Sequence, residues 1–361
     1  MALTLYVDGD AWRSHLRAVQ ADHPGLTPVV KGNGYGFGLG RLARRSQWLG
    51  VDTIAVGTYA ELPHVASRFD GSLLVLTPWR PFDDVLESET TDAARVIHTV
   101  GRLEDLRALV AHGRRTGHRP RVVLERLTSM LRHGFGREDL REAAALVRAD
   151  PGVVVEGTAV HLPLARTSHV AEVERVLAEV VEAGIDSLDH PGARTVWISH
   201  LSESELAQLQ DRHPGLTLRP RIGTTLWLGD RSALAVRATV LDTHAVGRGD
   251  TYGYRGRTAP RAGTILVVSG GTAHGIGLEA PTGEASLRAR AASLARGGLD
   301  AAGLVRSPYT VGGKQRLFAE PPHMQASMLF LPSGAAVPAV GDEVGCRVRF
   351  TTTDVDRVEI S

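Results

Sequence analysis

The chain has 361 residues, 43% hydrophobic and 22% charged, with a formal net charge of +1. That is enough apolar material for two domains with a sizeable core. It excludes global disorder and any general electrostatic pull toward nucleic acid or an anionic membrane. Cys346 is the only cysteine, which excludes an internal disulfide framework and a cysteine zinc site.

Met1–Asp8 reads as a strand without the basic region, apolar core and cleavage site of a signal peptide. No apolar run approaches the roughly 20 residues of a membrane span. A soluble cytoplasmic protein with no membrane or nucleic-acid partner is expected. Residues 10–22 have a helical period, with Trp12, Leu16 and Val19 on one face. Strands and helices then alternate. Apolar strands are expected at 27–31, 53–57, 73–78, 95–99, 120–126, 153–161, 195–199 and 217–222. Amphipathic helices are expected at 40–49, 60–68, 102–114, 137–149, 168–184 and 203–212, and 82–88 makes a poor one. Several of the strands are nearly all apolar, as buried parallel strands are. Eight strand–helix units predict an α/β fold, a (β/α)₈ barrel of the TIM type, over residues 8–228.

Past residue 230 the pattern changes to short strands at 236–241, 264–268, 328–331 and 344–350, separated by Gly and Pro, with one helix at 283–301. These predict a mainly antiparallel β-domain made of residues 1–7 and 229–361.

In a barrel the chemistry sits where strands end, and polar residues recur there. Lys31 ends the first strand, Arg132 follows the fifth, and His161 ends the sixth. His200 and Ser204 follow the seventh, and Arg221 ends the eighth. Lys31 is followed by glycine at 32, 34, 36 and 38, backbone that a bulky cofactor can approach closely, and a lysine so placed can form a Schiff base. That alternation never gives G-x-G-x-x-G, so no dinucleotide fingerprint is present. Pro308 stands where a Walker A loop ending at Gly313-Lys314 needs its first glycine, and neither H-E-x-x-H nor G-x-S-x-G occurs. His161 and His169 are too isolated to argue for a metal.

Val30-Lys31-Gly32-Asn33-Gly34-Tyr35-Gly36-Phe37-Gly38 resembles the V-K-A-N-A-Y-G-H-G signature of alanine racemases, pyridoxal phosphate (PLP) enzymes of fold type III. The resemblance continues in the same order along the chain. It implies a PLP barrel, a C-terminal β-domain and a head-to-tail homodimer with shared sites. Lys31 would hold PLP as an imine, with Tyr35 on its phosphate. Thr128-Ser129-Met130-Leu131-Arg132-His133-Gly134 is similar to T-G-M-x-R-x-G, which places Arg132 at the PLP hydroxyl and the substrate carboxylate. His161 would pack on the pyridine ring. His200-Leu201-Ser202-Glu203-Ser204 resembles H-x-x-N-S, with Ser204 on the phosphate. Arg221-Ile222-Gly223-Thr224 resembles R-P-G-I: Arg221 would face the pyridine nitrogen, and the amides of Gly223 and Thr224 the phosphate. Tyr254, in a stretch like G-D-x-V-G-Y, would be the second base beside Lys31, and the amide of Met324 would hold the substrate carboxylate.

Departures from the family pattern bear on substrate. Glu125 stands where many alanine racemases carry a carbamylated lysine, and is expected to pair directly with Arg132. G-Y-A-D-G becomes Gly271-Thr272-Ala273-His274-Gly275. R-V-P-R-x-Y becomes Asp354-Val355-Asp356-Arg357-Val358-Glu359. Gln325 replaces an aspartate and Phe37 a histidine. Thr272 and Glu359 would leave a wider, more acidic entrance, so the expected function is racemisation of alanine or of a larger amino acid, basic ones included. Two alternatives stay open: a fold-type III amino-acid decarboxylase, and a non-catalytic PLP-binding homologue.

Overall fold

The computed structural model describes residues 2–82, 93–164, 168–278 and 305–361. They divide into two compact units. One comprises Ser14–Gly34 and Gly38–Gly229; the other comprises Met1–Arg13, Tyr35–Phe37 and Asp230–Ser361.

The first unit is a closed parallel barrel of eight strands. Following β1 (Leu3–Val7) in the chain, they are β2 (Thr27–Val30), β3 (Thr53–Val56), β4 (Ser72–Val75), β5 (Val96–Val100), β6 (Arg121–Arg126), β7 (Val154–His161), β8 (Thr195–Ser199) and β9 (Thr217–Ile222). Side chains alternate across a strand, so each strand feeds two cores. Val29, Ala55, Leu74, Ile97, Val123, Ala159 and Trp197 form the layer inside the barrel. Val122, Leu124, Val155, Val160, Val196 and Ile198 face outward, where Leu106, Leu140, Val173 and Leu206 pack on them. Each such side chain contributes about 1.5–3 kcal/mol by leaving water.

After α1 (Gly9–Asp22), the connecting helices include α2 (Leu39–Leu49), α4 (Leu103–Thr116), α5 (Arg137–Ala149), α6 (Val170–Glu182) and α7 (Glu203–Arg212). The helix expected at 60–68 is shorter, a 3₁₀ turn at Tyr59–Glu61 running into α3 (Leu62–Ala66). α7 starts on a capping box in which Ser202 Oγ accepts from the Glu205 amide and the Glu205 carboxylate accepts from that of Ser202.

One irregularity decides which way the sixth barrel strand points its last residues. The register of β6 against β7 slips between Val122 and Leu124, and Gly157 in β7 has φ 120°. Val155 lies in the outer core and Ala159 in the inner one, although four residues of regular strand would keep them on one face. The bulge therefore turns Ala159 and His161 inward. A side chain at Gly157 would collide with the carbonyl of Thr195.

In the second unit, β1 lies between β10 (Leu234–Val246) and β18 (Arg357–Ile360). Beyond β10 the sheet continues through β17 (Glu343–Cys346), β14 (Arg306–Val311), β15 (Lys314–Phe318), β16 (Ala326–Pro332) and β13 (Gly263–Ser269). All pairings are antiparallel except β1 with β18. β13 also pairs with β10, which closes six of these strands into a ring. A two-stranded ribbon, β11 (Thr251–Tyr252) with β12 (Arg257–Thr258), stands apart from the sheet. The strand expected to reach residue 350 stops at Cys346, because Thr352 and Thr353 donate back to the Arg349 carbonyl in a turn. The helix expected at 283–301 lies outside the described residues.

Candidate active site

Six of the expected residues stand together at the C-terminal ends of the barrel strands. Lys31 is the first residue past β2, on the inward parity of Val29. Its loop is held from below by Glu61. One carboxylate oxygen accepts from the Gly32 amide at 2.8 Å and the other from the Gly57 amide at 2.7 Å. Solvent reaches Lys31, yet desolvation and the charges of Arg132 and Arg221 push its amine below the ordinary lysine value, against Glu61.

Arg221 ends β9, buried, with Nη2 donating to the Val160 carbonyl at 2.9 Å. Its Nε is buried and has no hydrogen-bond partner among the described residues. Burial lowers its pKa to about 10, so it stays protonated, and Glu125 supports its charge. Glu125 lies on β6, 3% exposed. Burial pushes its carboxyl up, while Arg221 and Arg132 pull it back. The expected direct pairing of Glu125 with Arg132 is not formed. Among the described residues Glu125 Oε2 has no hydrogen-bond partner, and Arg132 acts on it only through space. The reason is placement: Glu125 points into the barrel, whereas Arg132 sits on an exposed loop past the strand end.

That loop is tied at both sides. Leu127 and Phe135 close it, with the Leu127 amide donating to the Phe135 carbonyl and the Phe135 amide to that of Glu125. Arg126, paired with Glu179 at 2.7 Å, also donates to the Phe135 carbonyl. Thr128 Oγ1 donates to the His161 carbonyl at 2.6 Å.

His161 and Ser199 are register partners on β7 and β8, and His161 Nδ1 lies 2.7 Å from Ser199 Oγ. His200 follows in a left-handed conformation, φ 65°, with its ring edge-on to His161 at 5.2 Å. Burial and the charges of Arg221, Arg132, His200 and Lys31 depress His161 to about 3, so it is neutral at working pH. Four strand-end groups thus bear on one imidazole, and the ring contact with His200 is the geometric part of that convergence. Ser204 lies in the first turn of α7, its Oγ 3.2 Å from Ser202 Oγ. Gly223 caps, and Thr224 begins, the short helix α8 (Thr224–Leu228) with no side-chain cap.

The remaining expected residues belong to the second unit. Tyr35 is buried with φ 55°, in the segment Tyr35–Phe37. Tyr254 is 91% exposed, in the loop between β11 and β12, and Met324 is 65% exposed. The turn at Thr272–His274 packs on Met324: the Thr272 amide donates to the His323 carbonyl and the Ala273 amide to that of Met324. His274 meets Asp356, with Nε2 3.2 Å from Oδ1. The structure thus joins Asp356, not Glu359, to this turn. Glu359 is three residues further on, in β18 opposite Tyr6, whose hydroxyl is held protonated chiefly by its hydrogen bond to Glu343, with a smaller push from Glu359.

Sequence reasoning missed Glu61, Ser199 and Asp356. Of these only Glu61 had a signal, the Thr58-x-x-Glu61 spacing of a capping box. Among the described residues no cluster of His, Cys, Asp and Glu could hold a metal ion, and no helix is long and apolar enough to cross a membrane.

The sequence matches the model of the alanine racemase N-terminal domain over residues 7–230. The chain belongs to the alanine racemase family. It is similar to the alanine racemase of Salinispora tropica, 30% identical over 287 residues, 75% of this chain and 74% of that one. The Nitratidesulfovibrio vulgaris (strain Miyazaki F) alanine racemase is 27% identical over 278 residues, 73% of each chain. Among solved structures, the Bartonella henselae alanine racemase with covalently bound pyridoxal phosphate superimposes with a TM-score of 0.71 over the whole of both chains, at 16% identity. A histidine racemase from Leuconostoc mesenteroides gives 0.69 at 19% identity, covering 100% of this chain and 97% of that one. At these identities the structural likeness speaks for the fold: the TIM-type barrel and the antiparallel second domain are those of alanine racemases.

Proposed function

We propose that this protein is a PLP-dependent amino-acid racemase that uses Lys31 and Tyr254 as its two bases. The observation that carries the reading is the orphaned, buried Nε of Arg221 at the end of β9. A donor so costly to leave unpaired is suited to the pyridine nitrogen of PLP. The other residues fit the same group. Ser204 Oγ and the amides that open α8 suit a phosphate, and a lysine amine pushed below its ordinary value suits imine formation. His161, neutral and fixed by Ser199, offers a flat face for the ring.

When bound, PLP acidifies the substrate Cα–H by accepting the developing negative charge. The chain's own residues do the rest. Arg132 and the Met324 amide bind and orient the substrate carboxylate. Lys31 takes or gives the Cα proton on one face, and Tyr254 does so on the other. Arg221 keeps its proton, which limits how far charge spreads into the ring and disfavours protonation at the wrong carbon. Tyr35 and Ser204 anchor the phosphate.

Tyr254 and Met324 are among the most exposed large side chains. Such residues serve chemistry when something covers them, which supports a head-to-tail homodimer in which each copy supplies them to the other's site. The substrate is alanine or a larger amino acid; the short Thr272 beside Met324 favours the larger. The fold-type III decarboxylases of the alternative reading use a C-terminal cysteine, and Cys346 does not suit that part. Burial holds its thiol up at about 12, which suits packing rather than catalysis.

The test is chiral analysis of L-alanine, L-serine, L-histidine, L-lysine and L-ornithine after incubation with enzyme and PLP, with CO₂ release followed in parallel. Appearance of the D-enantiomer without CO₂ is expected. CO₂ release without inversion would replace this reading with the decarboxylase.

A further inference from the structure

Tyr254 sits on a ribbon with two residues per strand, too short to hold its own conformation. Its phenol, almost wholly in solvent, adds no packing. Something else must fix the loop, and the sheet supplies it. Ala319 accepts through its carbonyl from Tyr252 Oη and Arg257 Nη1, both at 3.2 Å. Glu320, 2% exposed, then reaches into the loop itself. Its Oε1 accepts from the Tyr254 amide at 3.0 Å and its Oε2 from the Arg255 amide at 3.4 Å. Gly253 has φ 75°, and a Cβ there would stand 2.5 Å from the Glu320 carboxylate. The carboxylate also lies 2.7 Å from Nε2 of His323, whose backbone leads directly into Met324. Burial raises the Glu320 carboxyl, but these donors outweigh it and keep the group ionised.

We infer that Glu320 is a positioning residue that fixes Tyr254 and, through His323, sets its distance from Met324. One buried carboxylate thereby ties the second base to the residue that orients the substrate. The inference rests on the racemase reading for its kinetic consequence but not for the tether itself.

Two measurements on Glu320→Gln test it. In the protein without substrate, amide hydrogen exchange of the peptide spanning 252–256 is expected to quicken by about 10–100-fold, since an amide side chain cannot accept all three donors. In the PLP-loaded enzyme, conversion of one enantiomer to the other is expected to slow about 10–100-fold. Solvent-deuterium exchange at Cα is retained for the enantiomer that Lys31 deprotonates and lost for the other. Gly253→Ala, which pushes the loop off the carboxylate without altering a buried charge, is expected to give the same one-sided pattern. Unchanged 252–256 exchange in Glu320→Gln, or an equal loss for both enantiomers, would overturn the inference; so would two-sided, wild-type kinetics in Gly253→Ala. If the wild-type protein does not racemise at all, the racemase reading fails, and the hydrogen-exchange result alone decides the tether.

Discussion

Arg221 and Glu125, three strands apart in one barrel, are buried charges that stabilise each other without touching. Each is the largest charged influence on the other. Arg221 cannot discharge at working pH, so the pair settles with a strained carboxyl rather than a neutral guanidine. This arrangement makes the site costly to the fold and useful to a cofactor that brings its own polar atoms.

Glu125 should therefore make stability depend on pH in a definite direction. Its carboxyl is raised in the folded protein above its unfolded value. Below the unfolded value, about 4.3, both states are protonated and full stability is present. As pH rises through the raised folded value, stability is lost. The unfolding free energy of wild type relative to Glu125→Gln should fall as pH rises from about 4 through the raised folded value in urea titrations of the apo protein. A flat difference would mean that Glu125 ionises at no cost.

Arg221→Ala leaves Glu125 buried with its nearest compensating charge gone. A loss of about 3–5 kcal/mol in apo stability is expected at neutral pH, shrinking in acid as Glu125 protonates. Pairing Arg221→Ala with Glu125→Gln should recover part of that loss; no recovery would show that the two charges are independent.

Tyr254→Phe separates chemistry from folding. With the side chain in solvent, stability should change by no more than about 0.5 kcal/mol. Conversion between enantiomers should slow by about 10²–10⁴-fold, with PLP still bound. Unchanged conversion would remove Tyr254 from the mechanism.

Ser204→Ala tests the phosphate end. Losing one hydrogen bond to a charged group, about 1.5–3 kcal/mol, should weaken PLP binding by about 10–150-fold in a titration, while substrate specificity is unchanged.

Much of the barrel was legible because its strands are short, apolar and rich in Val, Ile and Leu, and their observed bounds lie close to the expected ones. Strands β14, β15 and β18 were not. Lys314–Phe318 reads K-Q-R-L-F and Arg357–Ile360 reads R-V-E-I, polar runs whose pairing is set by neighbours distant in sequence. In the site, residues that present a side chain to the barrel mouth, such as Lys31 and Arg221, were visible as polar breaks at strand ends. Residues that work by accepting main-chain amides were less visible. Glu320 looks like an ordinary surface glutamate until the backbone donors converge on it, and the capping-box spacing of Glu61 does not reveal that it also accepts from Gly32 and Gly57. The Glu125–Arg132 pair failed because strand parity points Glu125 inward, while a loop carries Arg132 outward.

The central claim, that Lys31 carries PLP in an enzyme that inverts Cα, is tested most directly in one reaction vessel. The PLP-loaded protein is incubated in deuterium oxide with each pure enantiomer of its preferred amino acid, and a portion withdrawn before the amino acid is added is reduced with borohydride and mapped by mass spectrometry. The account predicts that both enantiomers converge on a one-to-one mixture with deuterium at Cα, and that the pyridoxyl label falls on Lys31. Label on another lysine, or label on Lys31 with neither exchange nor inversion for any amino acid, would contradict it.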